Sequence, residues 1–373
     1  LNGVKGITDK LVDWLVVSAV SGLGPARIRQ LLQNMDVEDL RQMLEHEPDA
    51  LPLPESLLRG KLVPNLSLIE SALSWQQSAD NNYIVTLDSP DYPCLLKQLS
   101  DPPTIIFVKG DINALKFPCI SMVGSRAASH TGLQLAYKLA GELSASGFAV
   151  VSGMAIGIDG AAHQACIDKG GRTLAVLGTG VDVIYPRRHK KIYEAIQSNG
   201  AVISEFWPGT KPFAGNFPKR NRLISGLTLG TLVVEACRKS GSLITARLAM
   251  EQGREVFAIP GNILSGQSQG CHDLLKNGAK LVENVADIIE EVSALSAFHL
   301  EELNKRHHIG GEKASDLPFA PLLASVGYET TSLDVVVEHS GKAIDLVLEQ
   351  LLELELQGWV AVVPGGYIRL KRS

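Results

Sequence analysis

The chain has 373 residues, 45% of them hydrophobic, and a formal net charge of −5, enough for two or three domains that each bury a core. No apolar run reaches the roughly 18 residues of a membrane span and the first residues lack the basic-then-apolar order of a signal peptide, so a cytoplasmic protein without membrane attachment is expected. The five cysteines are odd in number and form no CxxC pair, which disfavours a disulfide framework and a zinc site.

In chain order, apolar residues at three- and four-residue spacing through Leu11, Leu15, Ile28, Leu31, Leu32, Leu40 and Leu44 predict a small helical domain over residues 1–80. Inside it, Gly22-Leu23-Gly24-Pro25 breaks one helix and starts the next. The first 100 residues hold eight basic against thirteen acidic side chains, so a plain helix connection is favoured there over a DNA-binding hairpin. From Tyr83 to Asp111 the chain reads as extended and proline-punctuated, a lead-in to the central domain.

The central domain, residues 81–295, alternates short apolar runs with helical stretches. The runs are Cys119–Val123, Phe148–Ser152, Thr173–Leu177, Ala201–Ser204, Thr231–Val234 and Glu255–Ile259, with helices such as Leu133–Ala145 and Thr245–Gln252 between them. The expected fold class is therefore α/β, a doubly wound and mostly parallel sheet whose ligands bind outside the carboxyl ends of the strands. A linker is expected over 296–319, containing His307-His308. Residues 320–373 read as short helices closed by an apolar hairpin around Pro364-Gly365-Gly366, a winged helix with seven acidic and four basic side chains.

Several motifs fall on the strand rim. Gly124-Ser125-Arg126 follows the first central run; a glycine there lets a backbone approach a ligand, the next helix start attracts anions, and Arg126 adds a forked donor suited to phosphate. No GxGxxG is present, which disfavours a hydride-transfer cofactor, and no cofactor is expected. Asp159 and His163 lie four residues apart; helix capping with a local hydrogen bond outweighs an acid/base pair there. Lys190 and Lys191 end a charge run that is in part a solvated helix face, and its position on the ligand rim favours at least one of the two reaching nucleic acid. Gly241, Ser242 and Thr245 open a further helix as a second anion-accepting turn. The spacing of Gly230, Thr231 and Glu235 faintly matches that of nucleoside-monophosphate phosphoribohydrolases, one residue longer here.

Between Tyr185 and Arg222 there are eight Lys or Arg against two Glu, a net of +6 in a chain of −5, so the remainder carries −11. Concentrated positive charge in an acidic protein is the footprint of a phosphate-rich partner. Lys211, Lys219, Arg220 and Arg222 are expected to neutralise phosphates around Asn221. Phe217 is read evenly as a stacking platform for an unpaired base or as core packing.

GSRAAS, SGMAIGID with His163, the Tyr185-Pro186 segment, FPKRNRLISGL, VVEA followed by SGSLITA, and REVFAIPG occur in this order over roughly Tyr83 to Val292. In that order and spacing they resemble the DprA/Smf family of DNA-processing proteins. One departure is His272, where the family usually has asparagine after Gly-Cys. The resemblance implies an extended Rossmann-like domain flanked by a helical domain of the SAM or helix-hairpin-helix kind and a winged helix. It further implies a homodimer that binds single-stranded DNA in a basic pocket, protects incoming DNA during natural transformation and hands it to the RecA recombinase. By motif, Arg126 matches the pocket arginine and FPKRNR the pocket rim. With no nucleophile-base pair or metal set beside the basic residues, a binding protein is expected rather than an enzyme. Two other readings are a nucleotide-binding or nucleoside-monophosphate-cleaving enzyme using Glu235 or Asp159, and an interaction scaffold built on the acidic flanking domains.

Overall fold

A computed structural model of the chain describes residues 9–59 and 62–292. In the carboxyl-terminal part it describes 319, 322, 325–327, 331–340, 342, 344–356, 359–363 and 365–369. The expected linker, with His307-His308, lies outside the described residues apart from Phe319. The chain divides into two compact units, Leu1–Leu303 and Asn304–Ser373.

The amino-terminal helices are α1 (Asp9–Ser18), α2 (Pro25–Leu31), α3 (Val37–His46), α4 (Glu55–Leu58) and α5 (Leu66–Gln77). Pro25 occupies the first position of α2, where a missing N–H costs nothing. Asp36 caps α3 by accepting the Asp39 N–H at 2.9 Å. Their apolar stripes, with Trp14, Leu15, Ile28 and Leu40, join the same buried cluster as Phe107, Val108 and Ile203 of the sheet. Trp75 of α5 meets Phe107 edge-on, with ring centroids 5.7 Å apart. Helices and sheet thus share one continuous core, in which each fully buried large side chain contributes about 1.5–3 kcal/mol.

The sheet has nine strands: β1 (Asn82–Thr86), β2 (Ile105–Gly110), β3 (Cys119–Val123), β4 (Ala149–Ser152), β5 (Thr173–Val176), β6 (Ala201–Ser204), β7 (Gly230–Val233), β8 (Glu255–Ala258) and β9 (Lys280–Leu281). Their order is β1-β2-β6-β5-β4-β3-β7-β8-β9. The pairs from β6 to β9 are parallel, while β1 and β2 add an antiparallel edge on β6. The stretch read from sequence as an extended lead-in is therefore two strands of the sheet, joined across the short helix α6 (Cys94–Lys97).

Central strands that are apolar on both faces need helices on both sides. In β3, Ile120 and Met122 face one layer, and Cys119 and Val123 the other, as the two-residue period of a strand requires. The first layer contains α7 (His130–Ala145), α8 (Ile158–Asp168) and the helical residues 285–292. On the other side lie α9 (Lys190–Ile196), α10 (Asn216–Gly226) and α11 (Ser242–Glu251), and α12 (Gln269–Lys276) follows β8. The architecture is the doubly wound, mostly parallel, Rossmann-like sheet expected from the sequence.

The second unit has helices Leu333–Ser340 and Ile344–Leu356 and an antiparallel hairpin of Val360–Val363 with Gly366–Arg369. Val336, Val347, Leu351, Leu354 and Val360 form its core. This is a winged-helix arrangement of helices closed by a two-stranded wing.

Candidate functional site

β3 is flanked by β4 on one side and β7 on the other, so the order of the strands reverses there. In such sheets a crevice opens at this switch point, beyond the carboxyl ends of the strands. A cleft of about 730 Å³ occupies it, bordered by Gly124, Ser125, Arg126, Asn221, Gly241 and Thr245. A deeper cavity of about 190 Å³ adjoins it and shares Arg126, Tyr185, Phe217 and Arg220 with it.

The turn after β3 is held closely on both sides. The Ser125 N–H donates to the Glu235 carbonyl at 2.7 Å, and the Ile158 N–H donates to the Ser125 carbonyl at 3.3 Å. Gly157, at φ +85°, passes so near that a Cβ would lie 2.2 Å from the Ser125 oxygen, which only glycine tolerates. Arg126 stands exposed on this turn, with no hydrogen bond or ion pair among the described residues. Its guanidinium carbon lies 5.9 Å from the Phe217 ring centroid, within cation–π range. The start of α7 does not meet the cleft as an open anion site, as the sequence suggested. Ser129 caps it, and the Ser129 N–H and hydroxyl both donate to the buried Glu235 carboxylate.

α11 opens directly on the cleft. Gly241 is exposed and Ser242 half-buried, while Thr245 is buried in the wall. The first N–H groups of the helix bond back to Ser240 and Gly241. What α11 offers a ligand is therefore the positive end of its dipole and the linked hydroxyls of Ser240 and Ser242, 2.7 Å apart.

α10 carries the basic run, and its 3.6-residue period divides that run between two surfaces. Phe217, Arg220, Asn221 and Ile224 line the cleft. Lys219 and Arg222 line a separate cleft of about 560 Å³ against α2 and Trp207. Phe217 is half-buried, with its centroid 5.5 Å from that of Tyr185, which is 45% exposed.

The two arginines of the α10 run expected to neutralise phosphate are already committed. Arg220 is 4% exposed and donates to the carbonyls of Gly153, at 2.6 Å, and Val176. Burial lowers its pKa to about 10, against the pull of nearby Asp159, so it is a fixed charge behind Phe217, 6.0 Å from the ring. Asp159 accepts the Gly153 and Ala155 N–H groups at 3.1 and 3.3 Å; burial raises its pKa and the Arg220 charge opposes this. Arg222 pairs with Glu205 and donates to the Asp101 carbonyl at 2.7 Å.

Lys190, Lys191 and Lys211 are exposed and border none of the three clefts; Lys190 lies 3.7 Å from Glu194. His163 bonds Thr173 at 2.7 Å and not Asp159, and burial lowers its pKa to about 3. His272 contacts the Gly261 carbonyl at 3.0 Å and so fastens the loop after β8. Among the described residues no three His, Cys, Asp or Glu side chains are placed to hold a metal ion together, and no helix is long and apolar enough to cross a membrane. Sequence reasoning missed Tyr185, Arg188 and Met154 as lining residues of the deeper cavity. Met154 takes φ +59°, strained for a residue with a side chain, and nothing in its identity announces that.

A family model described as DNA recombination-mediator protein A matches residues 83–293, and a DprA winged helix domain model matches 312–366. Protein Smf of Escherichia coli (strain K12) is 44% identical over 306 residues, covering 82% of this chain and 82% of its own length. An X-ray structure of DNA processing protein A from Streptococcus pneumoniae superposes with a TM-score of 0.66 at 38% identity, covering 76% of this chain and 98% of that one. A structure of DNA processing protein A from Helicobacter pylori, solved for its single-stranded DNA binding mode, gives a TM-score of 0.51 at 30% identity over 57% of this chain and 96% of that one.

Proposed function

The chain belongs to the DNA recombination-mediator protein A family, and on that premise we propose that it binds single-stranded DNA in the cleft beyond β3 and β7. The observation that carries this reading is Arg126, an exposed guanidinium without an internal partner among the described residues, set beside the Phe217–Tyr185 ring pair. A cation for phosphate next to an aromatic face for a base fits a strand whose bases are free, and a duplex offers no such base. Asn221, Ser242 and Thr245 add hydrogen-bonding groups in the cleft, and Lys190, Lys191, Lys211 and Lys219 extend the positive field around it. Arg220 contributes as a fixed charge.

By the same family resemblance the protein shields incoming DNA during natural transformation and delivers it to the RecA recombinase, acting in the cytoplasm as a homodimer. It works by binding and delivery rather than catalysis. Supporting this, Glu235 and Asp159, the carboxylates an enzyme would use, are buried and already accept hydrogen bonds from the protein's own groups.

The test is fluorescence anisotropy with a labelled oligothymidine. Arg126→Glu should weaken binding at least about tenfold and reduce the salt slope by about 0.7 for each phosphate no longer neutralised. Lys138→Glu, on an exposed α7 position bordering none of the three clefts, should stay within about twofold. Equal effects of the two changes would refute the cleft as the binding site.

A further inference from the structure

Glu235 is 7% exposed and serves none of the roles a carboxylate has in binding a polyanion. It lies at the carboxyl end of β7, and its oxygens are turned to the segment after β3. Its carbonyl accepts the Ser125 N–H at 2.7 Å, and its carboxylate accepts the Ser129 N–H at 2.9 Å together with the Ser129 hydroxyl. Only Arg126, Ala127 and Ala128 lie between these anchors. The first turn of α7 leaves room for the carboxylate at Gly132, where a Cβ would stand 2.7 Å from Oε2.

We propose that Glu235 is the positioning residue for Arg126: its carboxylate takes the place a ligand anion would occupy at the start of α7 and pins the Ser129 end of the turn that presents the guanidinium to the cleft, while its backbone carbonyl holds the Ser125 end. This rests on the single-strand reading above and deepens it. A helix start attracts an anion, and here the protein supplies its own. Phosphate is thereby kept out of the α7 terminus and directed to Arg126 and α11. A pinned turn also loses little freedom when DNA binds, which favours affinity. Glu235 acts on DNA only through Arg126, because a negative charge does not itself attract phosphate.

A double-mutant cycle on oligothymidine affinity tests this, using Arg126→Ala, Glu235→Ala and the pair, with thermal melting to verify folding. Each single change should weaken binding by up to about tenfold, and the pair should bind within about twofold of Arg126→Ala, since coupled sites are not additive. Glu235→Ala combined with Phe217→Ala should multiply instead, which general structural support of the cleft by Glu235 would not produce. Independent factors for Glu235 and Arg126, or a Glu235→Ala protein that binds as tightly as the unaltered one, would overturn the proposal. Should Glu235→Ala fail to fold, Ser129→Ala removes the hydroxyl link, together with its cap on the Gly132 N–H, and must show the same non-additivity with Arg126→Ala, on a factor of about three; multiplication there also overturns it. An Arg126→Ala protein with unchanged affinity would instead remove the single-strand reading itself.

Discussion

The Phe217 ring lies over Gly178, where a Cβ would come within 2.8 Å of it, and one side of it remains half-open to the cleft between Arg126 and Tyr185. The ring is supported from below by Gly178, and on the proposed binding mode its open face is where an unpaired base would stack. Phe217→Ala should reduce single-strand affinity by about 1–3 kcal/mol, the range for loss of one base–aromatic stack, with Phe217→Tyr close to the unaltered protein. A titration in which Phe217→Ala keeps its affinity while its melting temperature falls would make the ring a packing residue. The neighbouring cations mark the limit of sequence reading at this scale. Lys219, Arg220 and Arg222 look equivalent as a run, yet one is exposed, one is buried against two carbonyls and one is paired with Glu205. Charge counting finds the segment; only the helical phase of α10, and the burial of its neighbours, assigns each side chain.

At the scale of elements, α8 directly follows the segment 153–156 that lines the deeper cavity, and the helix has to be fastened to the sheet. His163 does this: its Nδ1 meets the Thr173 hydroxyl, which in turn donates to the Val150 carbonyl at 2.7 Å, so one chain of hydrogen bonds ties α8 to β5 and β4. Burial lowers the His163 pKa to about 3, with the charges of His189 and Arg220 adding to the effect. A group whose folded pKa is depressed leaves stability intact above its unfolded pKa, here about 6.5, and removes it as pH falls towards the folded value. The loss approaches about 1.4 kcal/mol for each pH unit below the unfolded pKa. Urea unfolding of His163→Asn at pH 7 and pH 4.5 should show less of this acid sensitivity than the unaltered protein; an identical pH loss in both would sink the assignment. The central strands were legible from sequence because Cys119–Val123 and its counterparts are continuous apolar runs bounded by glycine and polar turns. β1 and β2 were not, because Pro93, Pro102 and Pro103 between them mark an edge whose pairing with β6 is antiparallel and long-range. The α7 start was misjudged because the carboxylate that fills it arrives from Glu235, 106 residues after Ser129.

Over the whole molecule, a net charge of −5 coexists with a cleft on one rim of one sheet that holds the exposed Arg126 and the buried Arg220. An acidic body discourages indiscriminate attraction to polyanions, while the field at the rim steers them to one place. The rim was readable in outline because a doubly wound sheet sends every strand-to-helix turn to the same edge, but the charge of residues 185–222 does not locate the cleft: Arg126 lies outside that stretch, and Lys190, Lys191 and Lys211 border none of the three clefts. What could not be read was which turns face the cleft, since this depends on the reversal of strand order at β3. Single-strand binding at this cleft is tested most directly by anisotropy titrations of the unaltered chain with a labelled oligothymidine and a duplex of equal length, each at low and moderate salt. The expected result is tight binding that favours the single strand and weakens with salt, log K falling by about 0.7 per phosphate neutralised for each decade of salt. Binding to neither DNA, or equal binding to both, would contradict it.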